Sequence, residues 1–242
     1  MMTDLSLTSG KSSVVLLLLR LLDPVPSSAK GISIDEIPLH KIDRGVLRQR
    51  MIAVPQDAVF LPDGTSFQIN LDPLAVSTEA ECRAVLETVG LWAFVSERGG
   101  LQAGMTADSL SQGQKQLFSL ARAVLRRRVR ARERETEFGK TAVDLNSGIL
   151  LLDEVSSSVD QDTERAMQAV IADEFEGYTV VMVSHRLDVV MGFDRVVVMD
   201  KGVMVENGRP SELVDQDGSR FRELWMVGNG NGSSNGVQGR AQ

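Results

Sequence analysis

Residues 149–154 read Ile149-Leu150-Leu151-Leu152-Asp153-Glu154. An unbroken apolar run without alternation describes a strand buried on both faces, as in a parallel sheet. Two acids close it. At the carboxyl end of such a strand, Asp153 can orient Mg²⁺ through its water shell. Glu154 can then polarise a water for in-line attack on a terminal phosphate. The same ending also fits a strand that simply runs into a polar turn. Downstream, Thr179–Val183 and Arg195–Met199 are two further short runs of the same kind, and about Asp162 to Glu174 reads as a helix opening on acidic residues. Strand, helix, strand is the rhythm of an α/β fold.

Upstream, Met51-Ile52-Ala53-Val54 is another strand candidate, ended by Pro55. Gly31-Ile32-Ser33-Ile34 alternates like a short strand. A helical pattern runs from Lys11 to Leu22 and stops before Pro24 and Pro26. Residues 72–105 look mostly helical, with Thr78 capping a helix through Val89, and another helix is expected from about Ser111 to Arg134. The Gly-, Asn- and Ser-rich end, 228–242, reads as a flexible tail. No internal repeat is visible.

The chain has 242 residues, 43% apolar and 24% charged, which is ordinary for a globular protein of one domain, or one with a lobe. This excludes a wholly disordered, collagen-like or coiled-coil chain. The net charge of −7 argues against nucleic-acid binding. A lone cysteine, Cys82, forms no internal disulfide framework and fits a small apolar core position in a reducing compartment. The longest apolar run, Val14–Leu22, contains Arg20 and has nine residues; a membrane span needs about 20. Lys11 before it and Ser27-Ser28-Ala29 after it also fit the core of a signal peptide, which Arg20 weakens.

Four more places carry chemistry. Gly10-Lys11-Ser12-Ser13, followed by an apolar helix, has the parts of a phosphate loop. The glycine admits backbone N–H groups to the phosphates, the lysine reaches the β/γ oxygens and a hydroxyl holds Mg²⁺. The second glycine of that pattern is missing, because Leu5 stands in its place, so a chance cluster stays open. Leu110-Ser111-Gln112-Gly113-Gln114 opens a helix, as an anion site or as an ordinary cap. His185 follows a buried strand, where it reaches a phosphate oxygen or is only a loop histidine. Gln56, behind Pro55, offers a neutral amide to a metal or water, or is a plain loop residue. His40 has no assigned role.

The order GKSS, VPQD, LSQGQ, LLLDEVSSSVD and SH strongly resembles the nucleotide-binding domain of ATP-binding cassette (ABC) transporters, from about Ser9 to Met226. Asn70-Leu71-Asp72-Pro73 and the intact Asp153-Glu154 pair resemble the second cassette of the multidrug-resistance-associated (C) subfamily. The resemblance implies a P-loop NTPase (RecA-like) fold: an α/β parallel sheet flanked by helices, with a helical signature subdomain at about 72–125, all within residues 1–227. It implies ATP and Mg²⁺ as cofactors and ATP hydrolysis as the activity. By this likeness Gly10 and Lys11 grip the β- and γ-phosphates, Ser13 supports one, and Ser12, Gln56 and Asp153 serve the metal. Glu154 is the catalytic base, His185 the switch histidine, and Gln56 also meets the attacking water. Ser111, Gly113 and Gln114 complete the site of a partner cassette, and Asp160 lies at the cassette–cassette interface. The implied partners are a second ABC cassette and transmembrane domains. The implied place is the cytoplasmic face of a membrane, and the implied work is export.

Three departures from that family shape the expectations. The N-terminal β-subdomain, with its adenine-stacking aromatic, and the strand feeding the phosphate loop are expected to be largely missing, as in a truncated chain. Hence the alternative of a non-catalytic cassette remnant or interaction module. A soluble ABC ATPase of translation or DNA repair fits less well, since those usually carry two cassettes or a coiled coil. Gln112 stands where glycine is usual. Residues 126–140 form an insertion with Arg126, Arg127, Arg128, Arg130, Arg132, Arg134 and Lys140 against Glu133, Glu135 and Glu137. It reads as a solvated helix end and loop, or as a docking or phospholipid-facing patch.

Overall fold

Strand β5 (Gly148–Asp153) divides the core. Leu150 and Leu152 pack on one side with Ile52, Phe118 and Met182, while Leu151 packs on the other with Val15, Leu39 and Leu47. All three leucines are buried, so burial on both faces, read from the unbroken apolar run, holds. The computed structural model describes residues 2–3, 10–25, 31–138, 147–155 and 159–230.

Around β5 runs a six-stranded sheet, which also contains β1 (Met2–Thr3), β4 (Met51–Val54), β6 (Tyr178–Ser184), β7 (Val196–Asp200) and β8 (Val203–Gly208). The order is β4-β5-β6-β1-β7-β8. Every pairing from β4 to β7 is parallel, and β8 returns antiparallel to β7. A small hairpin, β2 (Ser33–Ile34) and β3 (Ile37–Pro38), forms a separate sheet.

β1 corrects one expectation. The slot ahead of the phosphate loop is not open: Met2 pairs with Val183 on one side and Val197 on the other. Two residues suffice to bridge β6 and β7. Leu5 and the rest of 4–9 lie outside the described residues.

Helices cover both faces. One face carries α1 (Lys11–Leu18) and α2 (Arg44–Arg50). The other carries α3 (Phe67–Leu71), α4 (Glu79–Thr88), α5 (Trp92–Glu97) and the long α6 (Gln112–Phe138). Thr78 caps α4 through a reciprocal capping box with Glu81, as its sequence announces. The region 72–105 is therefore two helices and connecting turns. α7 (Gln161–Glu174) joins β5 to β6. After β6 come α8 (Leu187–Val190), α9 (Pro210–Asp215) and α10 (Arg220–Gly230), which share a third core cluster around Phe221.

Two more expectations change. α10 extends to Gly230, so 228–230 are helical, and 231–242 lie outside the described residues. The arginine run at the end of α6 is not simply solvated. Arg127 and Arg128 both pair with Glu174, at 3.1 and 2.5 Å. Arg130 donates to the carbonyls of Arg48 and Met51, and Arg132 to Glu81 and the carbonyl of Val76. These bonds carry α6 past the expected end at Arg134 and clamp it to α2, α4 and α7. Lys140 and 139–146 lie outside the described residues.

Candidate functional site

The carboxyl edge of the sheet gathers the residues singled out above. Gly10 takes φ 89° as the cap of α1, a left-handed conformation that favours glycine. A Cβ there would stand 3.4 Å from the Cα of Gly202 in the β7–β8 turn. The first turn of α1 then presents Ser12 and Ser13 to solvent, whereas Lys11 is buried.

Lys11 serves Asp153. Burial pushes the Asp153 carboxyl above the ordinary aspartate range, the neighbouring Glu154 pushes it further, and the Lys11 ammonium partly offsets both. A buried aspartate that resists ionisation beside a second acid is what a cation would relieve. The raised Asp153 pKa contributes stability that is fully present below the unfolded pKa of about 3.8 and is lost as pH rises through the folded pKa. Asp153→Asn therefore raises the melting temperature by about 1–3 °C at pH 7.5 without Mg²⁺, and by none near pH 3.5. Differential scanning fluorimetry at the two pH values checks it.

Glu154 is the strained residue of the site, with φ 49°. A left-handed glutamate costs about 1–2 kcal/mol. The turn is held because its N–H donates to the carbonyl of Val183 at 3.0 Å. The result is that Oε2 of Glu154 lies 3.7 Å from Nδ1 of His185, just past the end of β6. That is too long for a hydrogen bond and places acid and imidazole face to face. Gln56 follows β4, in which Val54 pairs with Leu152, so it lies at the same edge as Asp153. Its residue is exposed, and its carbonyl accepts from Nε2 of Gln116 at 2.5 Å.

A second group lies at the adjoining starts of α6 and α7. Gln114 N–H donates to Ser111 Oγ (3.2 Å), and Ser111 N–H donates to Gln114 Oε1 (2.9 Å). Within this chain the two are a helix cap. Gly113 lets α6 approach α7: a Cβ there would meet Thr163 Cγ2 at 3.3 Å. Asp160 caps α7, accepting from the N–H groups of Thr163 (2.9 Å) and Asp162 (3.1 Å). The N–H and hydroxyl of Thr163 hold its carboxyl below the ordinary range. So Lys11, Asp153, Glu154 and His185 come together. Ser111, Gly113, Gln114 and Asp160 form a separate cluster.

Three residues that sequence reasoning missed connect these parts. Gln116, 2% exposed, ties α6 to the loop of Gln56. Arg186, next to His185, pairs with Glu164 in the first turn of α7 at 2.6 Å. Glu164 is buried although it sits in an acidic helix start. The available signal was spacing: Glu164 lies three and seven residues ahead of Met167 and Ile171, which share its buried helix face.

A left-handed glycine at a helix start, a buried lysine beside the strand-end aspartate, and the strained glutamate facing a histidine are donors suited to a nucleoside triphosphate with its metal. Comparison with known proteins agrees. The family described as ABC transporter matches residues 8–129, half of the chain. The chain belongs to this family, as an ATP-binding domain with the P-loop NTPase fold. It is 62% identical over 220 residues to "ABC-type transporter braE" of Annulohypoxylon truncatum, covering 91% of this chain and 15% of that protein. It is 54% identical over 220 residues to "ABC transporter FGM5" of Gibberella zeae, covering 90% of this chain and 14% of that protein. Against "ABC transporter FUM19" of Gibberella moniliformis the identity is 45% over 234 residues, covering 90% and 15%. The chain thus spans about a seventh of the length of these relatives.

Proposed function

We propose that this chain is a cassette that binds and hydrolyses Mg-ATP at an interface with a second cassette, and so powers export by transmembrane domains. The Lys11–Asp153–Glu154–His185 cluster at the sheet edge carries the proposal. In this reading Gly10, Lys11 and Ser13 hold the β- and γ-phosphates. Ser12, Gln56 and Asp153 hold Mg²⁺, which when bound neutralises charge on the phosphates. Glu154 accepts a proton from the attacking water, and His185 holds the γ-phosphate oxygen. Ser111, Gly113, Gln114 and Asp160 sit at the exposed starts of α6 and α7, where a facing copy can be met. The cassette occupies 1–227, with a helical subdomain at about 72–125. The Asn70-Leu71-Asp72-Pro73 stretch supports a second-cassette, C-subfamily assignment. Among the described residues no helix is long and apolar enough to cross a membrane. In this reading the cassette works on the cytoplasmic side of the membrane domains it serves.

The test is Mg²⁺-dependent phosphate release from ATP by the chain, with its self-association followed by analytical ultracentrifugation. ATP-dependent dimers and metal-dependent turnover are expected. ATP binding with neither would replace this reading by that of a non-catalytic remnant.

A further inference from the structure

The loop that carries Gln56 has little main-chain support of its own. Among the described residues no backbone-to-backbone hydrogen bond holds 56–61. Side chains hold it instead. Gln116 of α6 donates from Nε2 to the Gln56 carbonyl at 2.5 Å. Arg122, further along α6, donates to the Val59 carbonyl, and its guanidinium lies 5.1 Å from the centre of the Phe60 ring. Asn70 of α3 accepts the N–H of Leu61 at 2.9 Å. Arg122 and Asn70 therefore fix the far end of the loop. Gln116 fixes Gln56 itself, two residues past Val54, whose partner Leu152 precedes Asp153. The Gln56 residue is exposed, so packing does little to place it.

Gln116 is a costly residue to bury. It is 2% exposed, and its Oε1 is buried with no partner among the described residues. A buried acceptor left unsatisfied offsets much of what the one bond from Nε2 contributes. An apolar side chain of similar shape would fill the same place at little cost, because the Gln56 carbonyl belongs to an exposed residue that water can reach. Stability alone therefore gives no reason for an amide here. We propose that Gln116 is a positioning residue for the metal: by holding the Gln56 carbonyl it sets where the Gln56 amide stands relative to Asp153. This rests on the reading of Gln56 and Asp153 as metal-side residues. Outer partners act on a metal site by orienting the groups that meet it, and their loss weakens metal affinity by about 10–100-fold.

Isothermal titration of the chain with AMP-PNP, a non-hydrolysable ATP analogue, tests this when run once with Mg²⁺ and once with EDTA. Gln116→Met is expected to bind AMP-PNP about tenfold more weakly with Mg²⁺ and equally well with EDTA. Its melting temperature should stay within about 2 °C of the unmodified chain. In a Gln56→Ala background Gln116→Met should add nothing, since that background keeps the carbonyl and lacks the amide to be positioned. A packing role would give a different pattern: a larger fall in melting temperature, equal losses with Mg²⁺ and EDTA, or a loss that persists beside Gln56→Ala. Any of these overturns the proposal, as does unchanged Mg²⁺-dependent binding in Gln116→Met while Gln56→Ala is impaired. If Gln56→Ala itself binds normally with Mg²⁺, or if Mg²⁺ adds nothing to binding by the unmodified chain, the metal-side reading falls and the proposal falls with it.

Discussion

Glu154→Gln is expected to lower Mg²⁺-dependent ATP turnover by about a thousandfold, within the range a general base contributes, while ATP affinity stays within about twofold. The amide keeps the size and hydrogen-bonding reach of the carboxylate and removes only its ability to take a proton. The backbone around it should persist, because the φ of 49° is set by the N–H bond to Val183 and not by the side chain. The strain itself supports the assignment. A glutamate is held left-handed where an ordinary strand end would let it relax, and the position that results faces His185 at 3.7 Å. His185→Ala provides the companion measurement. If Glu154 takes the proton and His185 only positions phosphate, the histidine variant should lose less in kcat, with its own loss also seen in nucleotide affinity. Phosphate release by purified chain, with ATP binding measured separately, distinguishes them. A drop below tenfold for Glu154→Gln would remove the general-base role.

That site was largely legible before the fold was. β5 announced itself because burial on both faces leaves no polar alternation, and its closing acids sit where parallel strands open to ligand. Lys11, Glu154 and His185 were readable as residue types at strand and helix ends. What bound them together was not. β1 is two residues long, too short to show any period, yet it occupies the slot between β6 and β7. β8 is mostly exposed and carries no core pattern. Its only cue is the turn before it, where Lys201 and Gly202 both take positive φ, as tight hairpin turns require. The arginine run looked solvated because Glu174 and Glu81, its partners, are distant in sequence. Gln116 and Glu164 escaped for the same reason: a polar residue on a buried face is explained only by its tertiary partner.

The Arg186–Glu164 pair is where that hidden layer should have its largest effect. Glu164 has a side chain only 4% exposed, and one of its oxygens already lacks a hydrogen-bond partner. Arg186 has a second acid, Asp188, at 3.0 Å. The two truncations are therefore unequal. Arg186→Ala strands a buried carboxylate and should cost about 3 kcal/mol, a fall in melting temperature of roughly 6–12 °C. Glu164→Ala leaves the arginine with Asp188 and should cost about 1–2 kcal/mol. Removing both should cost less than the sum, because no charge is left unpaired. Thermal melts of the four proteins close the cycle. Additive losses would mean that the two side chains act independently. The pair also anchors the residue after His185 to α7, whose cap Asp160 bonds Thr163, the residue that adjoins Gly113 of α6. Arg186→Ala, assayed well below its melting temperature, should therefore lose about tenfold in turnover at unchanged ATP affinity, as expected when a catalytic group is left about 1 Å out of place. Arg186→Lys restores the charge but not the two-way fork. It should recover most of the stability and only part of the rate, a split that a purely structural ion pair would not produce.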